Sequence, residues 1–185
     1  PQVVAKLLEH GMDSNTPAAM VEQGTTSGQR RVLSTLAELP SAIEAAGLEP
    51  PALFAIGPTV GHAETLDWVS RLPLAGQRLV VPGSRVELAA RLEAAGAEVV
   101  IVPMPATPAA RVVMGALPLT GCVVVTAAEV DWLDAERGGP GWSEEVVAWC
   151  VGPEASMRAR ECGWPNLHEL AVDADEKTLV AAIAG

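Results

Sequence analysis

The chain has 185 residues, enough for one domain or two small ones, and 49% of them are hydrophobic, enough for a packed core. The formal charge is −11, divided as −4 over residues 1–72 (four basic, eight acidic) and −7 over residues 73–185 (eight basic, fifteen acidic). This acidity excludes sequence-independent nucleic-acid binding and docking on anionic lipid, which need clustered Lys and Arg, and no apolar run is long enough to span a bilayer.

Val3, Val4, Leu7 and Leu8 repeat at helical spacing and predict a helix over 3–10 that stops at Gly11. The chain opens at Pro1 inside this helix, without an initiator Met or a signal-peptide pattern, so it is expected to be cut from a larger protein. A short apolar run predicts a strand over 18–23. Gly24, Thr25 and Thr26 then make a tight turn, and a second strand covers 30–35. A glycine turn exposes main-chain groups that can hold a nucleotide without bulky side chains. An ordinary β-hairpin accounts for the same spacing. A helix over 36–46 ends at Gly47, Pro50-Pro51 turn the chain into a strand over 52–57, and a short helix lies near 62–70. This part reads as mixed α/β, without the regular alternation of a parallel sheet.

Around residues 71–77 the pattern restarts. Strands are predicted over 78–82, 99–102, 122–126, 146–151 and 166–172, and helices over 86–95, 156–162 and 175–184. Asp173 or Asp175 is a candidate cap for the closing helix. The prolines at 103, 105 and 108 predict an irregular connection. Residues 131–134 and 142–145 flank a Gly-Pro-rich loop at 138–141 and read as solvated loop ends. Alternating strands and helices predict a flavodoxin-like parallel α/β layout with both faces covered. Five Trp, one Phe and no Tyr leave most of the packing to Ala, Val and Leu. Cys122, Cys150 and Cys162 show no C-x-x-C spacing, which fits buried free thiols in a reducing cytoplasm. His10, His62 and His168 are far apart, so no metal is assigned.

Thr16 through Thr26, then Gln29-Arg30, Thr35-Leu36 and Leu39, closely resemble the C-terminal part of uroporphyrinogen-III C-methyltransferase, of the tetrapyrrole methylase family. The resemblance continues through Pro51-Ala52-Leu53, Ile56-Gly57, Val60, Leu66 and Trp68, and departs at Pro58, Gly61 and His62, where that family usually has a Val and a basic residue. It implies that residues 1–72 are the incomplete C-terminal lobe of a methylase domain. It further implies S-adenosyl-L-methionine as methyl donor, uroporphyrinogen III as acceptor and precorrin-2 as product. On that basis the cofactor-binding candidates are Pro17, Ala18, Met20, Gly24 and Thr25, with core packing an equal alternative for Met20. The family's Gly-x-Gly-Pro-Gly-Asp loop is absent, so this chain alone is not expected to methylate. No catalytic residue is assigned. Arg30-Arg31 either face substrate carboxylates or form an exposed strand pair.

The second part resembles uroporphyrinogen-III synthase through LAGQRLVVPGSR, LAARLEAAGAEVVIVPM, VVVTAAEV, VAWCVGPEASMRARECGW and DEKTLVAAI. Thr126, Gly152-Pro153, Ala155 and Gly163 match, Ala127 stands where the family usually has Ser, and only one of that family's two lobes is present, over 73–185. The resemblance implies ring closure of hydroxymethylbilane, a polycarboxylate. Its carboxylates would be met at helix N-termini beyond the strand ends, by Ser84, Arg85, Thr126 and Gly152. A surface charge for Arg85 and a cap for Thr126 are the alternatives. Glu129 and Glu154 are expected at the same mouth, where they would repel such a substrate. Together the two resemblances imply a cytoplasmic, bifunctional enzyme of sirohaem or cobalamin synthesis, forming a homodimer. The alternative is a non-catalytic dimerisation or intermediate-channelling module with a degenerate synthase lobe. A receiver-type signalling domain is disfavoured because the first strand of the second part ends in Pro82-Gly83-Ser84 rather than in an acidic cluster.

Overall fold

Residues 2–139, 142–172 and 176–185 are described by a computed structural model of the chain. The chain divides into two compact units, Pro1–Arg71 and Leu72–Gly185. The caps expected at Asp173 or Asp175, and residues 140 and 141 of the Gly-Pro-rich loop, lie outside the described residues.

In the first unit, α1 (Gln2–Glu9) precedes β1 (Pro17–Glu22), β2 (Arg30–Thr35), α2 (Leu39–Ala46) and β3 (Ala52–Ile56). The three strands form an antiparallel sheet with β1 in the middle, flanked by β2 and β3. Side chains alternate between faces along each strand, which places Ala18, Val32 and Ile56 together. They pack against Val4, Leu7 and Leu8 of α1 and Leu39 and Ile43 of α2. On the reverse face Leu33 and Leu53 are exposed. Helix α2 stops at Gly47, whose left-handed conformation (φ 58°) turns its amide onto the last carbonyls. The single helix expected near 62–70 is broken into a 3-10 turn (Pro58–His62), α3 (Ala63–Leu66) and a second 3-10 turn (Val69–Arg71). Asp67 makes the break. Its carboxylate accepts from the Ser70 amide (3.1 Å) and hydroxyl (2.6 Å), a local bond that competes with the helical one.

The second unit contains β4 (Arg78–Pro82), α4 (Val86–Ala94), β5 (Glu98–Val102), α5 (Pro108–Ala116), β6 (Gly121–Val124), α6 (Ala127–Glu136), β7 (Val147–Val151), α7 (Pro153–Glu161), β8 (Leu167–Leu170) and α8 (Glu176–Ala184). All strand pairs are parallel, in the order β5-β4-β6-β7-β8. Counted within the unit this is 2-1-3-4-5, the flavodoxin-like order. Alternate strand residues feed two cores. Val80, Cys122, Val124, Ala148 and Cys150 pack with Met114, Leu133 and Ala159, while Leu79, Val81, Val123 and Trp149 pack with Leu92, Leu179 and Ile183.

Several expectations change here. Residues 131–134 are not a loop end but part of α6, with Leu133 fully buried. The connection after β5 contains α5, which Thr107 caps by accepting from the Ala110 amide (3.2 Å), with Pro108 in the first turn. Helix α7 begins at Pro153, three residues before the expected start at 156. Trp142, read as part of a solvated loop end, instead packs edge-on to Trp164 at 6.0 Å. No helix among the described residues is long and apolar enough to cross a membrane.

Candidate functional site

The turn between β1 and β2 spans residues 23–29 and is held by its own polar groups. The Thr25 amide donates to Gln29 Oε1 (2.8 Å), the Thr26 hydroxyl donates to the Gln23 carbonyl (2.8 Å), and the Gly28 amide donates to Thr26 Oγ1 (3.2 Å). Its left-handed residues are Gln23 (φ 47°) and Thr25 (φ 69°), not Gly24. A β-branched residue in that region costs on the order of 1–3 kcal/mol and persists only where the surroundings enforce it. The conformational freedom expected at Gly24 is therefore not what bends the chain. A Cβ at Gly24 would meet Val21 Cγ1 at 3.5 Å, an ordinary contact, whereas one at Gly28 would meet Gln23 Oε1 at 2.6 Å.

The five residues expected at a cofactor do not cluster. Pro17 opens β1 and Gly24 lies beyond its far end, about 20 Å away at 3.3 Å per residue. The side chains of Ala18 and Met20 are buried, as the core-packing alternative for Met20 requires. Gly24 and Thr25 are exposed at the turn. Nor do Arg30 and Arg31 stand free. Arg31 pairs with Asp67 (2.7 Å), and Arg30 pairs with the buried Glu22 (2.6 Å) and donates to the carbonyls of Ala46 (3.3 Å) and Gly47 (2.7 Å).

In the second unit the connection leaving β4 runs to β5 on one side, and the connection leaving β6 runs to β7 on the other. The gap beyond the carboxyl ends of β4 and β6 is the switch point, where open parallel sheets bind ligands. Ser84 and Arg85 follow β4, and Thr126 follows β6, so sequence reasoning places these three together at the switch point. Gly152 lies at the neighbouring carboxyl end, after β7. Its φ of 94° accounts for glycine there, as does Val172 Cγ2, which lies 2.8 Å from where a Cβ would stand. A cavity of about 430 Å³ beside the switch point is lined by Ser84, Arg85, Glu87 and Arg91. Arg85 precedes helix α4 as its N-cap residue and makes no side-chain cap bond.

Arg85 is partly exposed and paired. Its Nε donates to Glu129 Oε1 (2.8 Å). Thr126 is a cap: its hydroxyl accepts from the Glu129 amide (3.3 Å) and Glu129 Oε2 accepts from the Thr126 amide (3.2 Å), a complete capping box. Glu129, expected as an open repelling charge, is buried inside this network, while Glu154 is exposed in the first turn of α7. The T-A-A-E spacing of residues 126–129 carries the capping-box signal that reveals this helix start. Among the described residues no group of three or more His, Cys, Asp or Glu is arranged to hold a metal ion.

The chain is similar to siroheme synthases. It is 42% identical over 73 residues to the siroheme synthase of Methylobacillus flagellatus, covering 40% of this chain and 16% of that one. It is 41% identical over 68 residues to that of Methylococcus capsulatus (37% and 14%), and 46% identical over 63 residues to that of Nitrosospira multiformis (34% and 13%). The matched stretch thus spans 16% or less of these relatives' length. No protein-family model matches the chain.

Proposed function

We propose that the chain is part of a bifunctional enzyme of tetrapyrrole biosynthesis. The first unit is read as the C-terminal lobe of an S-adenosyl-L-methionine-dependent uroporphyrinogen-III C-methyltransferase. The second is read as one lobe resembling uroporphyrinogen-III synthase. The observation that carries the reading is the similarity to siroheme synthases, over stretches of 63 to 73 residues. The first unit is of that size, Pro1–Arg71. The self-braced turn adds support, because strained, preorganised loops concentrate at ligand sites.

Bound S-adenosyl-L-methionine would supply an activated methyl group, leaving the protein to position the acceptor and remove a proton. In this chain Gly24 and Thr25 fit such a ligand. Both are exposed, Gly24 has no side chain to hold the adenosyl part away, and the braces from Gln29 and Thr26 fix the backbone beforehand. Pro17, Ala18 and Met20 would act by fixing β1 beneath the turn. In the second unit Ser84, Arg85, Thr126 and Gly152 frame the strand-end mouth at which hydroxymethylbilane or uroporphyrinogen III would be met. Self-association as a homodimer belongs to the same reading.

The test is to give S-adenosyl-L-methionine and uroporphyrinogen III to the complete gene product that contains these residues. Formation of precorrin-2 supports the assignment, and failure of any methyl transfer overturns it. The second unit has another reading, as a non-catalytic dimerisation or channelling module. It is favoured by the pairing of Arg85 with Glu129, which leaves no net positive charge on that pair to meet a polycarboxylate. Cyclisation of hydroxymethylbilane to isomer III faster than spontaneous isomer I appears would decide for an active lobe.

A further inference from the structure

An anionic ligand at a switch point is held by backbone N–H groups at strand and helix ends, assisted by nearby cations. In the second unit a carboxylate already has that environment, and it belongs to the protein. Glu129 Oε2 accepts from the amides of Val125 (2.7 Å) and Thr126 (3.2 Å). Glu129 Oε1 accepts from Arg85 Nε (2.8 Å) and lies 3.5 Å from the Ser84 hydroxyl. The residue is 3% exposed. A capping box requires only the bond to the Thr126 amide. The bonds from Val125 and Arg85 go beyond it, and Arg85 arrives from the turn after β4, on the other side of the switch point.

We propose that Glu129 is a specificity-determining residue of this mouth, an internal carboxylate that stands where a ligand's would and closes the β4–β6 switch point to anions. It takes up two amides and the nearest guanidinium, and a substrate carboxylate must displace it to reach them. The sequence alone puts Glu129 there as a repelling charge; the structure makes it an occupant. The proposal rests on the synthase-like reading only in naming a polycarboxylate as the excluded ligand.

Glu129→Gln separates the charge of the occupant from folding, because Gln still completes the capping box but leaves Arg85 unneutralised, so an anion displaces it more readily. The probe is citrate, with inorganic phosphate beside it, titrated into the full chain and followed through backbone amide resonances. In the wild type the amides of Val125 and Thr126 stay unmoved. In Glu129→Gln the amides of residues 84–85 and 125–126 shift saturably, with citrate bound at least about tenfold more tightly than by wild type. Adding Arg85→Gln removes the gain. A folded Glu129→Gln chain that binds citrate no better than wild type overturns the proposal. So does saturable citrate binding at Val125 and Thr126 in the wild type, a measurement that needs no variant to fold. Should the complete gene product show neither methyl transfer nor ring closure while Glu129→Gln gains citrate, the functional reading fails and this one stands.

Discussion

Glu22 and Arg30 stand directly opposite each other across the β1–β2 ladder and approach to 2.6 Å at the point where the strands run into the turn. The pair does more than close the hairpin. Glu22 Oε1 accepts from the Glu49 amide (3.1 Å), and Arg30 reaches the carbonyls that end α2, so three segments meet on two side chains. A cation at a helix C-terminus also suits the helix dipole. The base of the candidate cofactor turn is thus set by an ion pair of which one partner is buried.

Glu22→Ala removes the acceptor of the Glu49 amide and of Arg30 together. Loss of one partner of a buried polar contact costs about 1–3 kcal/mol. Urea unfolding of the first unit, followed by amide exchange in residues 17–35, is expected to shift to lower urea, with an unfolding free energy smaller by that amount. An unchanged midpoint would show that the network contributes nothing.

Gly24→Ala separates folding from binding at the turn. Gly24 lacks the positive φ of its neighbours, and its added Cβ makes only ordinary contacts. Thermal stability is expected to change by less than about 0.5 kcal/mol. Affinity of the complete gene product for S-adenosylhomocysteine, measured by calorimetry, is expected to fall. Equal affinity would remove Gly24 from the site.

Gly152→Ala behaves in the opposite way. The backbone at φ 94° and ψ 163° is a region that only glycine occupies readily. A destabilisation of about 1–3 kcal/mol is expected in thermal unfolding. A fully stable variant would show that neither the backbone conformation nor Val172 requires glycine there.

The thiols give a pH prediction. Burial pushes the Cys122 thiol far up, and burial pushes Cys150 up to about 11 from its ordinary 9.0. A raised folded-state value means that the native form holds its proton more tightly. Its stabilising contribution is complete below pH 9.0 and is lost as pH rises through about 11. Melting temperature is expected to fall over that window, and less so in Cys150→Ala. In native protein at neutral pH, iodoacetamide is expected to label the half-buried Cys162 before the two buried thiols.

The parallel sheet is legible in the sequence because most of its strands are short apolar runs, those at Arg78–Pro82, Glu98–Val102 and Val147–Val151 closed by Gly or Pro, and because helix stops such as Gly96 and Gly163 punctuate it. Helix α6 is not legible from periodicity. Its acidic residues Glu129, Asp131 and Asp134 alternate with Val130, Trp132 and Leu133 and obscure any apolar stripe. Its start is written in Thr126 and Glu129, and that of α5 in Thr107-Pro108, as capping signals. At the site, the positions of Ser84, Arg85 and Thr126 follow from strand ends alone. What they bond to does not, because Arg85 and Glu129 are 44 residues apart and meet only when β4 and β6 lie side by side. The strained residue of the turn is likewise hidden, since sequence favours Gly24 for positive φ and the structure gives it to Gln23 and Thr25.

A cofactor site at the β1–β2 turn is tested head-on by titrating S-adenosylhomocysteine into the complete gene product and reading the amide resonances of Gly24 and Thr25. Saturable shifts at both, following the calorimetric binding curve, are predicted. Saturable binding that leaves both amides in place, or no binding at all, would contradict a cofactor site there.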